Sequence, residues 1–521
     1  MSSNRVYAAL WIGAAAVVIA LGAANLWYGD LNQDEGWYLY TASLVARGER
    51  PYLDFAFTQG PVMPMVYALA HPLVDRWGVA GGRLFTMILG LAAAVCAAFF
   101  AARVAGPTRA RHTALLAFIL IALNVHQSYF TTIVKTYALS ALFISAGFLF
   151  LTARGKRHAR GMACAAAVLF VLAAGVRISA AAIVPAVALF LWVVRAERPG
   201  QWLWFAGGAG LAALAIFMPF YLMAPDGFIF GMFKYHTLRG AEGGFKTWLV
   251  YRAAFTSRLV QAYFVAFGVL ATTLVARWCH RRESAGDGMP APDRLVWAAW
   301  VSVIGITMVH ALAPMPYDDY QVMLYPLFAA LLAVGVVQTI REERFAVPVI
   351  CLVALLATAA AFSSPINQDW FTRGRDRIWW RLKEKTALQV LRESARKIRA
   401  VGGDCRDVLT QDTYLAVEAR LRVPRGLELG PFSYYPGLTT AAARKLRVVN
   451  TPLLTGIIRN SKCRVTAISG YSFSIASPEV RPLTVAEKLV LNKALTETYI
   501  PFDHIPDFGQ GNTPLLLGRL R

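Results

Sequence analysis

The sequence predicts a polytopic α-helical membrane protein that ends in a small α/β domain, and three observations predict it. Hydrophobic residues make up 57% of the 521-residue chain and charged residues only 16%, against roughly 25% charged in soluble proteins. Apolar runs near the ~20 residues that cross a bilayer recur as far as Phe362 and then stop. The formal charge of +22, from 52 Lys and Arg against 30 Asp and Glu, collects in short connections between the runs and in the tail. That composition excludes disorder, a collagen-like chain and a small disulfide scaffold.

The runs place spans at Val6–Trp27, Gly81–Arg103, Thr113–Thr132, Tyr137–Ala153, Gly161–Val176, Ala180–Val194, Trp202–Met223, Ser257–Ala276, Leu295–Ala313, Met323–Ile340 and Phe345–Phe362, about 11 transmembrane helices. The first run is longer than the apolar region of a cleaved signal peptide, so it reads as a span. Basic residues orient the bundle. With the N-terminus cytoplasmic, Arg5 and the alternate short loops hold sixteen Lys and Arg, among them Arg103, Arg109, Arg154, Arg160, Arg277 and Arg344, as the positive-inside rule requires. The other side receives two long loops, 28–80 and 224–256. An odd span count puts the tail 363–521 there too.

That tail has 25 Lys and Arg against 14 Asp and Glu, a charge suited to lipid headgroups. Asp369-Trp370-Phe371 and Ile378-Trp379-Trp380 read as an interfacial aromatic belt leading to a basic helix near Arg381–Ala400. Strand-like runs follow at Asp407–Gln411 and Arg464–Ser469. Cys405 and Cys463 each precede one of those runs, so a disulfide is feasible if the strands are neighbours. Cys96, Cys164, Cys279 and Cys351 sit in or beside spans, where a small thiol packs as an apolar group.

Loop 28–80 carries the informative acids. Asp34 and Glu35 stand just past the first span, before an amphipathic stretch, Trp37–Ala46, closed by Gly48. Turns follow at Pro51–Asp54 and Thr58–Pro61, then a second apolar helix, Val62–Val74, too short to cross. The spacing predicts two helices lying on the membrane with acids at their entrance. It leaves open whether Asp34 and Glu35 serve chemistry or cap a helix whose positive end attracts anions.

Gln33-Asp34-Glu35-Gly36-Trp37-Tyr38-Leu39-Tyr40, Gly48 with Pro51-Tyr52-x-Asp54, and Gln59-Gly60-Pro61 resemble the first outer loop of GT-C glycosyltransferases, in the branch containing protein O-mannosyltransferases and the lipid A aminoarabinose transferase. The resemblance extends to the span count, to Arg83 opening the second span, and to Pro316-Tyr317-Asp318-Asp319-Tyr320. Asp412-x-Tyr414-x-Ala416-Val417-Glu418 and Glu428-x-Gly430-Pro431-Phe432 in the tail are similar to bacterial members. It implies a GT-C-like bundle over 1–362 and a periplasmic α/β domain over 363–521 in an inner membrane. It also implies transfer of a sugar from a polyprenyl-phosphate donor to a glycan, lipid or protein acceptor. Under that resemblance Asp34 is the general base, and Glu35 either supports it or binds a sugar hydroxyl. A carboxylate is already ionised at neutral pH and can accept the acceptor's proton. The leaving phosphate needs fixed cations, for which Arg83, Lys135, Arg177, His236 and Arg239 are candidates. Asp54, Gln59, Tyr317, Asp318, Asp319 and Tyr320 are candidates for sugar or acceptor. A divalent metal bridging Asp34 and the second acidic cluster is compatible with the spacing without being required by it.

The main rival is a transporter or lipid-linked sugar flippase, which predicts midplane charges and inverted repeats. The charges here gather at one edge and no repeat is visible. A third class, an assembly protein binding through its tail, has no acid requirement at Asp34. Topology and headgroup contact account for the basic surplus without nucleic acid. Gly208-Ala209-Gly210 lies within a span and reads as a close helix contact rather than a dinucleotide loop.

Overall fold

The computed structural model describes residues 3–237, 244–283, 293–363, 384–470, 472 and 483–521. Arg239 and the aromatic belt at 369–371 and 378–380 lie outside the described residues. Within them, six helices are long and apolar enough to cross a membrane: Arg5–Tyr28, Val79–Ala105, Arg157–Val176, Gln201–Met223, Arg294–Leu312 and Glu343–Ala361. Four shorter apolar helices, Ala110–Ala122, Thr136–Leu151, Ile178–Val193 and Tyr325–Thr339, and one bent helix pair join them in the bundle. Leu211, Leu222, Leu355 and Ile12 stand about two-thirds exposed or more, an apolar girdle that only lipid covers. The chain is an integral membrane protein.

The interior is built from small residues that let helices approach closely. Ala93, Ala97 and Ala101 line one buried stripe and Ala163, Ala166 and Ala167 another. Gly208 presses on Cys164, the close contact its sequence suggested.

Two expectations for this region change. The span expected at Ser257–Ala276 straddles a break at Tyr263: Gly244–Ala262 and Phe264–Cys279 meet at 85°. Most of the expected loop 224–256 is therefore helical, the Lys246, Arg252 and Arg258 of Gly244–Ala262 having diluted the apolar signal. The Val62–Val74 helix is two, Val62–Ala68 and His71–Trp77, with Pro72 starting the second, because proline suits a first turn and breaks an interior one.

The tail folds as an α/β domain on a four-stranded sheet in the order β1-β2-β4-β3. These are β1 Leu409–Thr410, β2 Val465–Ser469, β3 Tyr499–Phe508 and β4 Thr513–Leu520. β1 and β2 run parallel, while β4 is antiparallel to β2 and to β3. Pro501 and Pro506 keep β3 at the edge, with register shifts beside both. The basic helix spans Ala387–Gly402. It starts on a Thr386–Gln389 capping box and buries Leu388, Leu391, Ala395 and Ile398, so its apolar face meets the domain core rather than lipid. Cys405 and Cys463 are free thiols, and burial pushes the Cys463 thiol up to about 11.

The first long loop departs most from expectation. Its helix α2, Gln33–Ala46, following α1, Ser3–Tyr28, is buried on nearly every side. Gly36 has room for no Cβ against the Tyr414 backbone, and Trp37 meets Phe432 edge-on at 6.4 Å. The helix lies between the bundle and the C-terminal domain, not on a membrane surface, because aromatic residues circle it instead of forming one stripe.

Candidate active site

The site begins with the turn that joins α1 to α2. Asn32 caps α2, and the Glu35 carboxylate returns to the Asn32 N–H at 3.0 Å, completing a capping box. Glu35 also accepts from Arg83 Nε at 2.8 Å and Nη2 at 2.6 Å. The rest of the Arg83 fork donates to the carbonyls of Asn25, Leu26, Gly29 and Asp30. Both side chains are 0% exposed. Every donor direction of Arg83 is committed to this turn, which corrects the expectation that it meets a phosphate. Glu35 likewise moves from the chemistry to the scaffold.

Held by that scaffold, Asp34 faces the other way, with 30% of its side chain exposed. Trp37 Nε1 donates to its Oδ1 at 3.2 Å, and Lys135 Nζ stands 3.3 Å from its Oδ2. The same ammonium lies 2.8 Å from Asp319 Oδ2. A single nearly buried lysine therefore joins two carboxylates from distant parts of the chain. Burial opposes its charge, but Asp319, Tyr137 and Asp34 outweigh burial and hold its pKa well above the ordinary lysine value. Burial raises the Asp319 pKa, yet Lys135 and Arg177 pull it below the usual carboxylate range. This ammonium fills the place that a metal bridging Asp34 and Asp319 would take. Among the described residues no group of three His, Cys, Asp or Glu could hold a metal ion.

Arg177 follows the helix Lys156–Val176 in extended backbone. Its guanidinium lies 3.9 Å from the Tyr320 ring centroid and 5.3 Å from that of Tyr137. Nη1 reaches Thr136 at only 3.4 Å, and Nε is buried without a hydrogen-bond partner among the described residues. Tyr38, four residues after Asp34, completes the wall: burial lifts its hydroxyl pKa, Asp34 adds to the rise, and Arg177 and Lys135 oppose it.

The remaining candidates scatter. Asp318 pairs with Arg258 Nε at 3.5 Å and His126 at 3.9 Å instead of with Lys135. Tyr317 serves Tyr320, ring to ring at 5.5 Å. Asp54 closes its own turn by accepting the Arg50 N–H at 2.8 Å. The Gln59 carbonyl accepts from the Tyr52 hydroxyl, and Gly60 packs on Gly175, two residues before Arg177. His236 stacks edge-on against Tyr235 at 5.1 Å, in a segment whose Gly227 and Gly231 press on Tyr52 and Phe57.

The tail motifs converge on this loop. The Glu418 carboxylate caps the Val79 N–H at 2.9 Å and holds Arg392 at 3.2 Å. Gln510, at the β3–β4 turn, accepts the Gln33 N–H at 2.9 Å, so the C-terminal domain touches the residue beside Asp34. Trp37 and Tyr38 were legible as residues three and four beyond Asp34 on one helical face. Gln510 and Arg258 left no signal, because distant chain segments supply them.

A broken helical bundle with a buried loop helix under a C-terminal α/β domain is the GT-C membrane fold. ArnT from Cupriavidus metallidurans in the apo state superposes with a TM-score of 0.62 at 14% identity, covering 99% of this chain and 98% of that one. ArnT bound to undecaprenyl phosphate gives the same figures. The Archaeoglobus fulgidus oligosaccharyltransferase in complex with Zn and sulfate gives 0.50 at 12% identity, covering 95% of this chain and 72% of that one. No family model matches the sequence, and no curated protein matches it either.

Proposed function

We propose that this chain is an inverting glycosyltransferase that moves a sugar from a polyprenyl-phosphate donor to an acceptor hydroxyl, with Asp34 as general base. The observation that carries the reading is the partly exposed Asp34 carboxylate, fixed by Trp37 and Lys135, with the under-partnered Arg177 guanidinium and Lys135 both facing the Tyr137 ring. The undecaprenyl phosphate bound by ArnT, a protein of the same fold, supports the donor class. In the step, the acceptor oxygen attacks the anomeric carbon and its proton passes to Asp34. The bond from that carbon to phosphate oxygen breaks, and the electron pair leaves on the lipid phosphate. Arg177, with its stacked planar fork, is the cation best placed to meet that developing charge. His236 is a second candidate, and Asp319 acts through Lys135.

The positive-inside count favours a cytoplasmic N-terminus, which puts the site and the C-terminal domain on the periplasmic face of an inner membrane. The acceptor class stays open between glycan, lipid and protein. The test is to incubate the chain in lipid vesicles with polyprenyl-phosphate sugars and cell-envelope extracts. A covalent sugar–acceptor product together with free polyprenyl phosphate supports the reading. Movement of the lipid-linked sugar across the vesicle without product supports a flippase instead.

A further inference from the structure

A cavity lies where α2 and the C-terminal domain meet, away from the Asp34 carboxylate. Its volume is about 380 Å³, within the roughly 300–1,000 Å³ of small-molecule sites. Tyr40 and Leu44 of α2 form one wall, and Pro424, Glu428, Ile457 and Ser461 of the domain form much of the other. Leu44 stands ten residues beyond Asp34 on the same helix, about 15 Å along its axis.

The lining points to a ligand class. The charges facing the cavity largely answer one another: Arg425 pairs with Glu49 and stands 3.8 Å from Glu428. A polyanion or polycation would therefore meet mixed charge. The neutral groups are differently disposed. The Tyr40 hydroxyl accepts the Val423 N–H at 2.9 Å, leaving its own hydrogen to donate. The Ser461 hydroxyl is engaged within the domain, by Tyr499 at 2.7 Å and by the Cys463 N–H at 3.2 Å, while Tyr499 also reaches the Cys463 carbonyl. Asn460 donates its amide hydrogen to the Gly456 carbonyl, leaving its oxygen to accept. Between these sit the aliphatic surfaces of Leu44, Pro424 and Ile457. A free donor at Tyr40 and a free acceptor at Asn460 flanking an apolar strip match a sugar ring, which is polar at its rim and C–H-rich on its faces. The Glu428 carboxyl, buried and pushed up to about 7, adds a group able to donate or accept near neutral pH.

We propose that this cavity is a carbohydrate-binding subsite, taking an uncharged glycan segment of the acceptor whose reactive hydroxyl lies at Asp34. The assignment rests on the glycosyltransferase reading for the second half of that statement only, so its test reads binding. The probes are maltotriose and triacetylchitotriose at millimolar concentration, with a neutral hexapeptide as the competing class. They are followed by saturation-transfer NMR on the full chain in lipid nanodiscs. Lys462→Trp and Asn460→Trp each place a ring into the cavity from an exposed rim position. One or both trisaccharides should bind the wild type and Asp34→Asn alike. Each tryptophan variant should weaken that binding by about tenfold, as expected for losing one or two hydrogen bonds with their packing. Binding that survives in both variants overturns the proposal, as does binding by the peptide alone or by none of the probes. Absence of sugar transfer in vesicles with this binding intact defeats the enzymatic reading and leaves the subsite standing.

Discussion

Replacing Arg83 separates the scaffold from the chemistry. Arg83→Met removes the counter-charge of a fully buried Glu35 and withdraws donors from four main-chain carbonyls in the α1–α2 turn. Breaking a buried pair from one side costs about 3–5 kcal/mol, because the remaining charge is stranded. At ~2 °C per kcal/mol for a large chain, the apparent melting temperature falls by roughly 6–10 °C. The double variant Arg83→Met/Glu35→Gln strands no charge and should recover about half of that loss. Tryptophan-fluorescence melting in detergent measures the stability of both variants, and donor titration in vesicles measures KM. A melting temperature within about 1 °C of wild type, paired with a raised donor KM, would refute the scaffold assignment and return Arg83 to the phosphate.

Other predictions bear on the neighbouring elements. Lys135→Met leaves Asp34 and Asp319 without the cation between them, so transfer should drop by more than about tenfold, with Lys135→Arg recovering part of it in the same vesicle assay. Gln510→Ala removes the acceptor for the Gln33 N–H and should lower kcat several-fold, consistent with a hydrogen bond worth about 1 kcal/mol. Gln510→Glu, which keeps an acceptor, should retain most of the rate. Burial raises the Glu428 pKa from its ordinary 4.5 to about 7. A raised folded pKa means this group's stability contribution is fully present below pH 4.5 and lost as pH climbs through 7, about 3 kcal/mol in all. Melting temperatures across pH 4.5–8 should therefore fall more steeply for wild type than for Glu428→Gln, and parallel curves would contradict the assignment.

The bundle was legible because a bilayer demands long apolar runs, and composition alone exposes them. Where charge interrupts a helix, as at Lys246, Arg252 and Arg258, that signal weakens and the bent pair at Tyr263 was missed. β3 was hidden by Pro501 and Pro506, residues that a central strand excludes and an edge strand tolerates. The acids divided along lines the local sequence left open. Glu35 completes the Asn32 capping box and pairs with Arg83, whereas Asp34, one residue earlier, faces Trp37 and Lys135. Spacing cannot separate adjacent carboxylates; the partners can. Those partners lie 48 residues from Glu35 in one case and 184 residues apart across the Lys135–Asp319 bond in another. Long-range pairings of that kind leave no periodic trace. The burial of α2 was misjudged for a related reason, since the domain that covers it arrives from the far end of the chain.

The most direct measurement is the rate of sugar transfer by Asp34→Asn in vesicles supplied with a polyprenyl-phosphate sugar and an acceptor extract. The substitution keeps the shape of the side chain and an oxygen facing Trp37 Nε1, while removing the base. Melting and donor binding should match wild type while the rate falls at least about a hundredfold, the usual scale of general-base catalysis. Transfer at the wild-type rate would contradict that role for Asp34.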